Sequence, residues 1–104
     1  MRRPEIIVRI KDALRKIIPD ARIVLYGSEA RGEATVESDI DLLILLEGDK
    51  DLVDKERSIK TILCDIELDM GVLINSIIIP RARWENRPFK TPFYVNVMNE
   101  GILL

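Results

Sequence analysis

Apolar residues recur at two different spacings along this chain of 104 residues, and the spacing predicts its elements. Residues 4–18 carry apolar side chains at every third or fourth position, which predicts an amphipathic helix. Residues 21–27 and 38–47 are short apolar runs that predict two strands, the second of them covered on both faces. The polar residues 28–34 between them predict a turn or a short helix. Residues 49–63 return to helical spacing.

The second half of the chain predicts one more strand and two helices. Apolar and polar residues alternate over residues 65–76, which predicts a third strand. A short helix is expected within residues 79–87. Residues 91–101 have helix punctuation at both ends, beginning with Thr91 as the N-cap. The order of elements predicts one α/β (α+β) domain over residues 1–104, with a small mixed β-sheet flanked by helices.

Composition narrows the possible chemistry. The 16 basic and 18 acidic residues give a net charge of -2, which provides no electrostatic case for binding nucleic acid. The sequence contains no histidine, so any catalysis must use carboxylates, hydroxyls, lysine, arginine or a metal held by oxygen ligands. The single cysteine, Cys64, cannot form an internal disulfide, which favours the cytoplasm. No apolar run is long enough to span a membrane, and no signal peptide is predicted.

Two aspartates stand one residue apart at the head of the second predicted strand. Asp39 and Asp41 point to the same face, because strand side chains alternate. Two carboxylates so close together repel each other, and a divalent cation between them removes the conflict. Mg²⁺ suits such a site, since it combines a few carboxylates with water and substrate phosphates. The alternative interpretation is a pair of solvated aspartates at a strand end.

A glycine–serine pair follows the first predicted strand. Backbone N–H groups at Gly27 and Ser28 would hold a phosphate at the start of a short helix, and the Ser28 hydroxyl would add a donor. The alternative is an ordinary glycine turn with a serine cap. Asp69 on the predicted third strand is the candidate for a third carboxylate, with Asp65 and Glu67 on the same alternating face. The alternative there is a strand with one solvated face.

Together these residues form a pattern that resembles the DNA polymerase beta-like nucleotidyltransferase superfamily. The pattern stands here as Gly27-Ser28, Arg31-Gly32 and Ser38-Asp39-Ile40-Asp41. It is most similar to the small, single-domain minimal nucleotidyltransferases of bacteria and archaea. The resemblance implies the nucleotidyltransferase fold. It also implies transfer of a nucleoside monophosphate from an NTP, ATP being the expected one, to a hydroxyl with release of pyrophosphate.

The resemblance also implies roles for individual residues. The positions of Asp39 and Asp41 hold two Mg²⁺ ions in the family, and those of Gly27 and Ser28 contact the triphosphate. Arg31 and Ser38 are further candidates for nucleotide binding, although the sequence favours a helix-surface arginine as the interpretation of Arg31. The third family carboxylate is expected at Asp69, as a metal ligand and proton acceptor. Relatives place that acid directly before three aliphatic residues, a position that Gly71 occupies here, and without it the enzyme would be weak or inactive.

Family members often pair with a small helical HEPN protein as a toxin–antitoxin system, which implies a protein partner. A HEPN-type protein or a second copy of this chain is therefore expected, and the rival interpretation is a non-catalytic antitoxin or adaptor. The apolar run at residues 77–79 and the aromatics near Phe93 are the expected contact surfaces. Trp84, Phe89, Phe93 and Tyr94 are expected to pack the C-terminal helices onto the sheet, with base stacking as the alternative for Phe93 or Tyr94.

Overall fold

The computed structural model describes residues 3–104 as five helices around a four-stranded sheet. The elements in chain order are α1 (Pro4–Ile17), β1 (Arg22–Tyr26), α2 (Gly27–Arg31), β2 (Ile40–Leu46), α3 (Leu52–Met70), β3 (Ile74–Pro80), α4 (Arg81–Glu85), α5 (Pro92–Glu100) and β4 (Ile102–Leu103). This is the α+β architecture expected from the order of elements.

The sheet is mixed, with the strand order β3-β2-β1-β4. β1 runs antiparallel to both β2 and β4, whereas β2 and β3 are parallel and are connected through α3. The antiparallel register places Tyr26 opposite Asp41, and the parallel register places Asn75 opposite Asp41 on the other side. Three polar side chains from adjacent strands therefore stand in one row across the sheet.

The two faces of β2 carry different cores. Ile40, Leu42 and Ile44 point into the main core beneath α1 and α3, whereas Leu43 and Leu45 pack with the helices α4 and α5. β2 is thus covered on both faces, as its near-continuous apolar run predicts. Since side chains alternate along a strand, Asp41 lies on the same face as Leu43, toward α4 and α5.

The predicted third strand over residues 65–76 is wrong in most of its length. Residues 65–70 complete α3, and β3 begins only at Ile74. Ile59, Leu63 and Ile66 are buried at helical spacing, whereas Leu68, which a strand would have buried, is 81% exposed. The segment belongs to an amphipathic helix whose apolar residues also happen to fall at every second position. The helix ends at Gly71, which adopts the left-handed conformation with φ 66°.

The remaining elements follow the expectations closely. α1 begins at Pro4, and α5 begins after Thr91, whose side chain accepts a hydrogen bond from the Tyr94 backbone N–H at 3.1 Å. The apolar run at residues 77–79 forms part of β3 rather than following a strand. β4 was not predicted, because two residues carry no periodicity. Within residues 3–104 no helix is long and apolar enough to cross a membrane.

Candidate active site

Asp39 and Asp41 converge at the head of β2. Both carboxylates accept a hydrogen bond from the same donor, the Asn75 side-chain amide, and each N–O distance is 3.1 Å. Both aspartates are half-buried, so part of each carboxylate remains open to water. Two anionic oxygen donors that meet at one point suit a hard cation such as Mg²⁺. A rotation of the Asn75 side chain would turn its amide oxygen toward the same point.

The glycine–serine turn lies directly against this pair. Gly27 begins α2 with φ +75°, and a Cβ at this position would overlap Asp41 Oδ2 and lie 3.2 Å from Asp41 Cγ. Position 27 therefore requires glycine for two reasons: its φ is positive, and the Asp41 carboxylate occupies the space that a side chain would need. The two halves of the sequence motif are thus in van der Waals contact, although Gly27 and Asp41 are 14 positions apart in the chain.

Tyr26 forms one wall of the site, because it pairs with Asp41 across the sheet. Burial, and then the negative charge of Asp41, raises the pKa of the Tyr26 phenol above its ordinary value. The phenol therefore stays protonated at neutral pH and remains a potential hydrogen-bond donor. Its ring also packs edge-on against Phe93 at 5.4 Å, which ties α5 to the site.

Ser28 is the second residue of α2 and does not cap it. The N-cap of this helix is Tyr26, which makes no side-chain capping bond, and the Ser28 backbone carbonyl accepts from Glu33 N at 2.9 Å. The interpretation of Ser28 as only a helix cap therefore lacks support in the geometry. Its half-buried side chain is left for a role other than capping.

Asp69 does not lie beside Asp39 and Asp41. It belongs to α3, its side chain is 62% exposed, and it pairs with Arg9 of α1 on the helical face of the domain. The assignment of Asp69 as the third carboxylate relied on the strand predicted over residues 65–76 and falls with it. Asp65 and Glu67 are likewise on α3, where Glu67 accepts a hydrogen bond from Ile74 N at 2.9 Å.

Asn75, rather than the expected Asp69, is the residue that lies beside the two aspartates. It lies on the strand next to Asp41, in register with it, and its side chain reaches both aspartates. Sequence reasoning missed it because asparagine is uncharged and residues 74–80 were divided between two predicted elements. Among residues 3–104 no cluster of three or more acidic, cysteine or histidine side chains is placed to hold a metal ion.

The other two candidates for nucleotide binding already have partners. Arg31 pairs with Glu33 at 3.0 Å and with Glu100 at 3.1 Å, so it connects α2 to α5 on the surface. Ser38 Oγ accepts from Thr35 N at 2.9 Å and closes the turn before β2. Both side chains stabilise the segments around the site, and contact with a nucleotide stays a prediction for each.

The aromatic residues form a chain that leads away from Tyr26. Phe93 contacts Trp84 at 6.0 Å between ring centroids, and Trp84 contacts Tyr94 at 4.8 Å. Trp84 is buried, which confirms that the cluster packs α4 and α5 onto the sheet. Phe89 is 71% exposed and lies outside the cluster, contrary to expectation. Base stacking by Phe93 stays a prediction.

Known proteins resemble this chain in both sequence and fold. The family model described as "Nucleotidyltransferase domain" matches residues 7–104. The chain belongs to this nucleotidyltransferase family and is a nucleotidyltransferase.

Two curated relatives come from the archaeon Methanocaldococcus jannaschii. "Putative protein adenylyltransferase MJ0141" is 36% identical over 100 residues, which cover 94% of each chain. "Putative protein adenylyltransferase MJ0604" is 39% identical over 84 residues, which cover 80% of this chain and 76% of the relative. A solved structure, described as "a putative nucleotidyltransferase from Sulfolobus solfataricus", superposes with a TM-score of 0.60 at 17% identity. The superposition covers 95% of this chain and 76% of the other, and it confirms the fold.

The position of Ser28 leads to a prediction that separates binding from folding. Ser28→Ala removes a hydroxyl without removing a cap, so the free energy of unfolding should change by less than about 0.5 kcal/mol. A hydrogen bond to a charged phosphate is worth roughly 1.5–3 kcal/mol, so affinity for a triphosphate should fall about 10- to 100-fold. Calorimetric titration with a non-hydrolysable ATP analogue measures the affinity. Unchanged affinity would mean that Ser28 does not contact the triphosphate.

Proposed function

We propose that this domain is a metal-dependent adenylyltransferase that transfers AMP from ATP to a hydroxyl group of a protein partner. An acceptor oxygen bonds to the α-phosphorus, the bond to the β-phosphate oxygen breaks, and pyrophosphate leaves. The acceptor proton passes to water at the site. The contact of the Asp39–Asp41 pair with the Gly27–Ser28 turn is the observation that supports this proposal most strongly.

Asp39 and Asp41 are the residues that would hold the metal, Mg²⁺ in our proposal. Two such ions, when bound, stabilise the charge on the attacking and leaving oxygens of a phosphoryl displacement. The chain itself contributes the two carboxylates, the turn that receives the triphosphate, and the protonated phenol of Tyr26 at the edge of the site. ATP and a protein acceptor are supported by the descriptions of the two archaeal relatives as protein adenylyltransferases.

Incubation of the protein with each α-labelled NTP in turn, with Mg²⁺ and with the product of the neighbouring gene, tests this proposal. We expect label from ATP to appear on a protein band and equimolar pyrophosphate to be released. Transfer should require Mg²⁺ and should fail with EDTA. Label that appears only on small molecules, or that comes equally from all four nucleotides, would contradict the proposed acceptor or the proposed base.

We further propose that the acceptor is placed by a second chain, either a helical HEPN-type protein or a second copy. The face that carries the aspartates is incompletely covered, since Ile77 is 38% and Phe93 36% exposed on or beside it. Orientation of the acceptor supplies a large part of any transfer rate, so an open face needs another wall. Co-purification with the neighbouring gene product, followed by sizing, tests the requirement. Efficient transfer to a small free acceptor by a strict monomer would contradict it.

The exposed single cysteine, Cys64, supports a location in the cytoplasm.

One observation favours a second candidate function, an antitoxin or adaptor that acts by binding and transfers weakly or not at all. Asn75 stands where a third carboxylate would complete the site, and an amide does not accept the acceptor proton. The two candidates differ in what a carboxylate at this position should do.

Asn75→Asp is expected to increase both metal affinity and transfer. The new carboxylate would face Asp39 and Asp41, so a cation would meet three negative ligands rather than two. The metal-free variant should be less stable than the wild type, because a donor that both aspartates use has become a third negative charge. Thermal melts with and without Mn²⁺ measure the metal-free stability and the metal affinity, and transfer of label from ATP measures the activity.

Ser76→Asp provides the matched control for Asn75→Asp. It adds the same charge one residue further along β3, on the opposite face, beside Lys60. The control should leave metal affinity unchanged. If Asn75→Asp binds metal no more tightly than Ser76→Asp, then position 75 is not part of the metal site. If it binds metal but transfers nothing, the adaptor function is favoured.

A further inference from the structure

The half of the sequence motif that lies on α2 contains a buried carboxylate, and binding of a nucleotide gives no reason for it. Glu29 lies on α2 directly after Ser28 and is 0% exposed. A buried carboxylate is costly unless it is paired and hydrogen-bonded. One of its partners is Arg3, 26 residues earlier in the chain and also buried, whose Nε donates to Glu29 Oε1 at 2.7 Å. The Arg3 backbone N–H donates to the other carboxylate oxygen at 3.2 Å.

Arg3 also holds the residue that precedes the first aspartate. Its Nη2 donates to the Ser38 carbonyl oxygen at 2.7 Å. Ser38 N is bonded to Thr35 O at 3.1 Å, and Ile40 N is bonded to Leu73 O at 2.9 Å. Asp39 is therefore the single residue between a closed turn and the start of β2. The peptide unit on its N-terminal side takes its orientation from the guanidinium of Arg3.

We propose that Arg3 and Glu29 are positioning residues for the active site, which together fix α2 and Asp39 relative to each other. The planar guanidinium binds Glu29 with one edge and the Ser38 carbonyl with another, so one side chain spans both halves of the motif. The Gly27–Ser28 turn and the Asp39 carboxylate are thereby held at a set distance before any ligand binds. Such preorganisation is what a metal and triphosphate site requires. This inference rests on the proposed metal site.

The Arg3→Lys variant separates positioning from simple stability. Lysine keeps a positive charge for Glu29, but a single ammonium cannot also reach the Ser38 carbonyl in the geometry of the guanidinium. We expect a folded protein that binds Mn²⁺ more weakly, with a dissociation constant about 10- to 100-fold larger than that of the wild type. Electron paramagnetic resonance with the metal alone measures this constant. Loss of a group that orients a metal ligand typically has an effect of this size.

Arg15→Lys is the matched control at the other end of the same helix. Arg15 donates to the carbonyl oxygens of Ala21 at 2.9 Å and Leu104 at 2.7 Å, so it also joins distant segments through backbone acceptors. Its loss should affect stability but not Mn²⁺ affinity. Equal Mn²⁺ affinity in the Arg3→Lys and wild-type proteins would overturn the positioning role. So would an equal loss in both lysine variants.

Two further measurements cover the remaining outcomes. If Arg3→Lys does not fold, Glu29→Gln decides, because the amide oxygen keeps one acceptor for Arg3; we expect an intermediate loss of Mn²⁺ affinity, and no loss would overturn the inference. If the wild type binds no Mn²⁺, the proposed metal site fails, and the amide NMR signals of the metal-free protein decide. Arg3→Lys should then shift the Ser28 and Asp39 signals and Arg15→Lys should not. Unshifted signals would overturn the positioning role.

Discussion

Gly27→Ala is expected to abolish nucleotidyl transfer. A methyl group at this position would occupy the space of the Asp41 carboxylate, which must then move away from Asp39 and from the turn. The backbone would also have to keep a left-handed conformation at φ +75°, which costs an alanine about 1–2 kcal/mol. Transfer from labelled ATP and the free energy of unfolding are the two measurements. Transfer should be lost even under conditions in which the free energy of unfolding shows that the variant is folded.

Gly32→Ala is the control for backbone strain. Gly32 has nearly the same φ, +74°, but a Cβ there would meet nothing within 4 Å. Both variants should lose similar stability from strain, whereas only Gly27→Ala should lose transfer. If the two variants retain equal activity, contact between the turn and Asp41 is not required for the reaction.

Asp41→Asn is expected to remove metal binding without harming the fold. The substitution keeps the shape of the side chain and relieves its repulsion with Asp39, so thermal stability without metal should be equal or higher. The wild type should be stabilised by Mg²⁺ and ATP, by about 2.7 kcal/mol when the ligand is present at about 100 times its dissociation constant. The variant should show no such stabilisation. Thermal melts measure both.

Asp69→Asn is the control for this variant. It removes one carboxylate from the opposite side of the domain, where Asp69 pairs with Arg9 in an exposed position. It should keep both the stabilisation by Mg²⁺ with ATP and the transfer activity. Stabilisation that survives in Asp41→Asn and disappears in Asp69→Asn would place the metal on α3 and contradict the site described above.

The sequence predicted β1, β2 and the two halves of the motif because their signals are local. The run from Ile40 to Leu46 is apolar except for Asp41 and is short, which favours a strand covered on both faces. Pro4 and Thr91 mark helix starts by their own backbone chemistry. The end of α3 was misjudged because its last turns satisfy two periodicities at once. Only tertiary packing, which buries Ile66 and exposes Leu68, decides between them.

The sequence predicted only those parts of the site in which charged residues occur at unusual positions. Asp39 and Asp41 stood out because carboxylates are unusual at the head of a buried strand. Asn75 and the Arg3–Glu29 pair had no such signal. Their roles depend on strand register and on a contact between residues 26 apart, neither of which a local pattern contains. The error at Asp69 followed directly from the misplaced strand.

The central claim is that the metal and the nucleotide bind where the Asp39–Asp41 pair meets the Gly27–Ser28 turn. Titration of the ¹⁵N-labelled protein with Mn²⁺, in the presence of a non-hydrolysable ATP analogue, tests this most directly, because the paramagnetic ion broadens the amide signals nearest to it. We predict that the signals of Gly27, Ser28 and Asp41 broaden first and that the signal of Asp69 persists. Early broadening at Asp69 with unaffected signals at Gly27 and Asp41 would contradict the account.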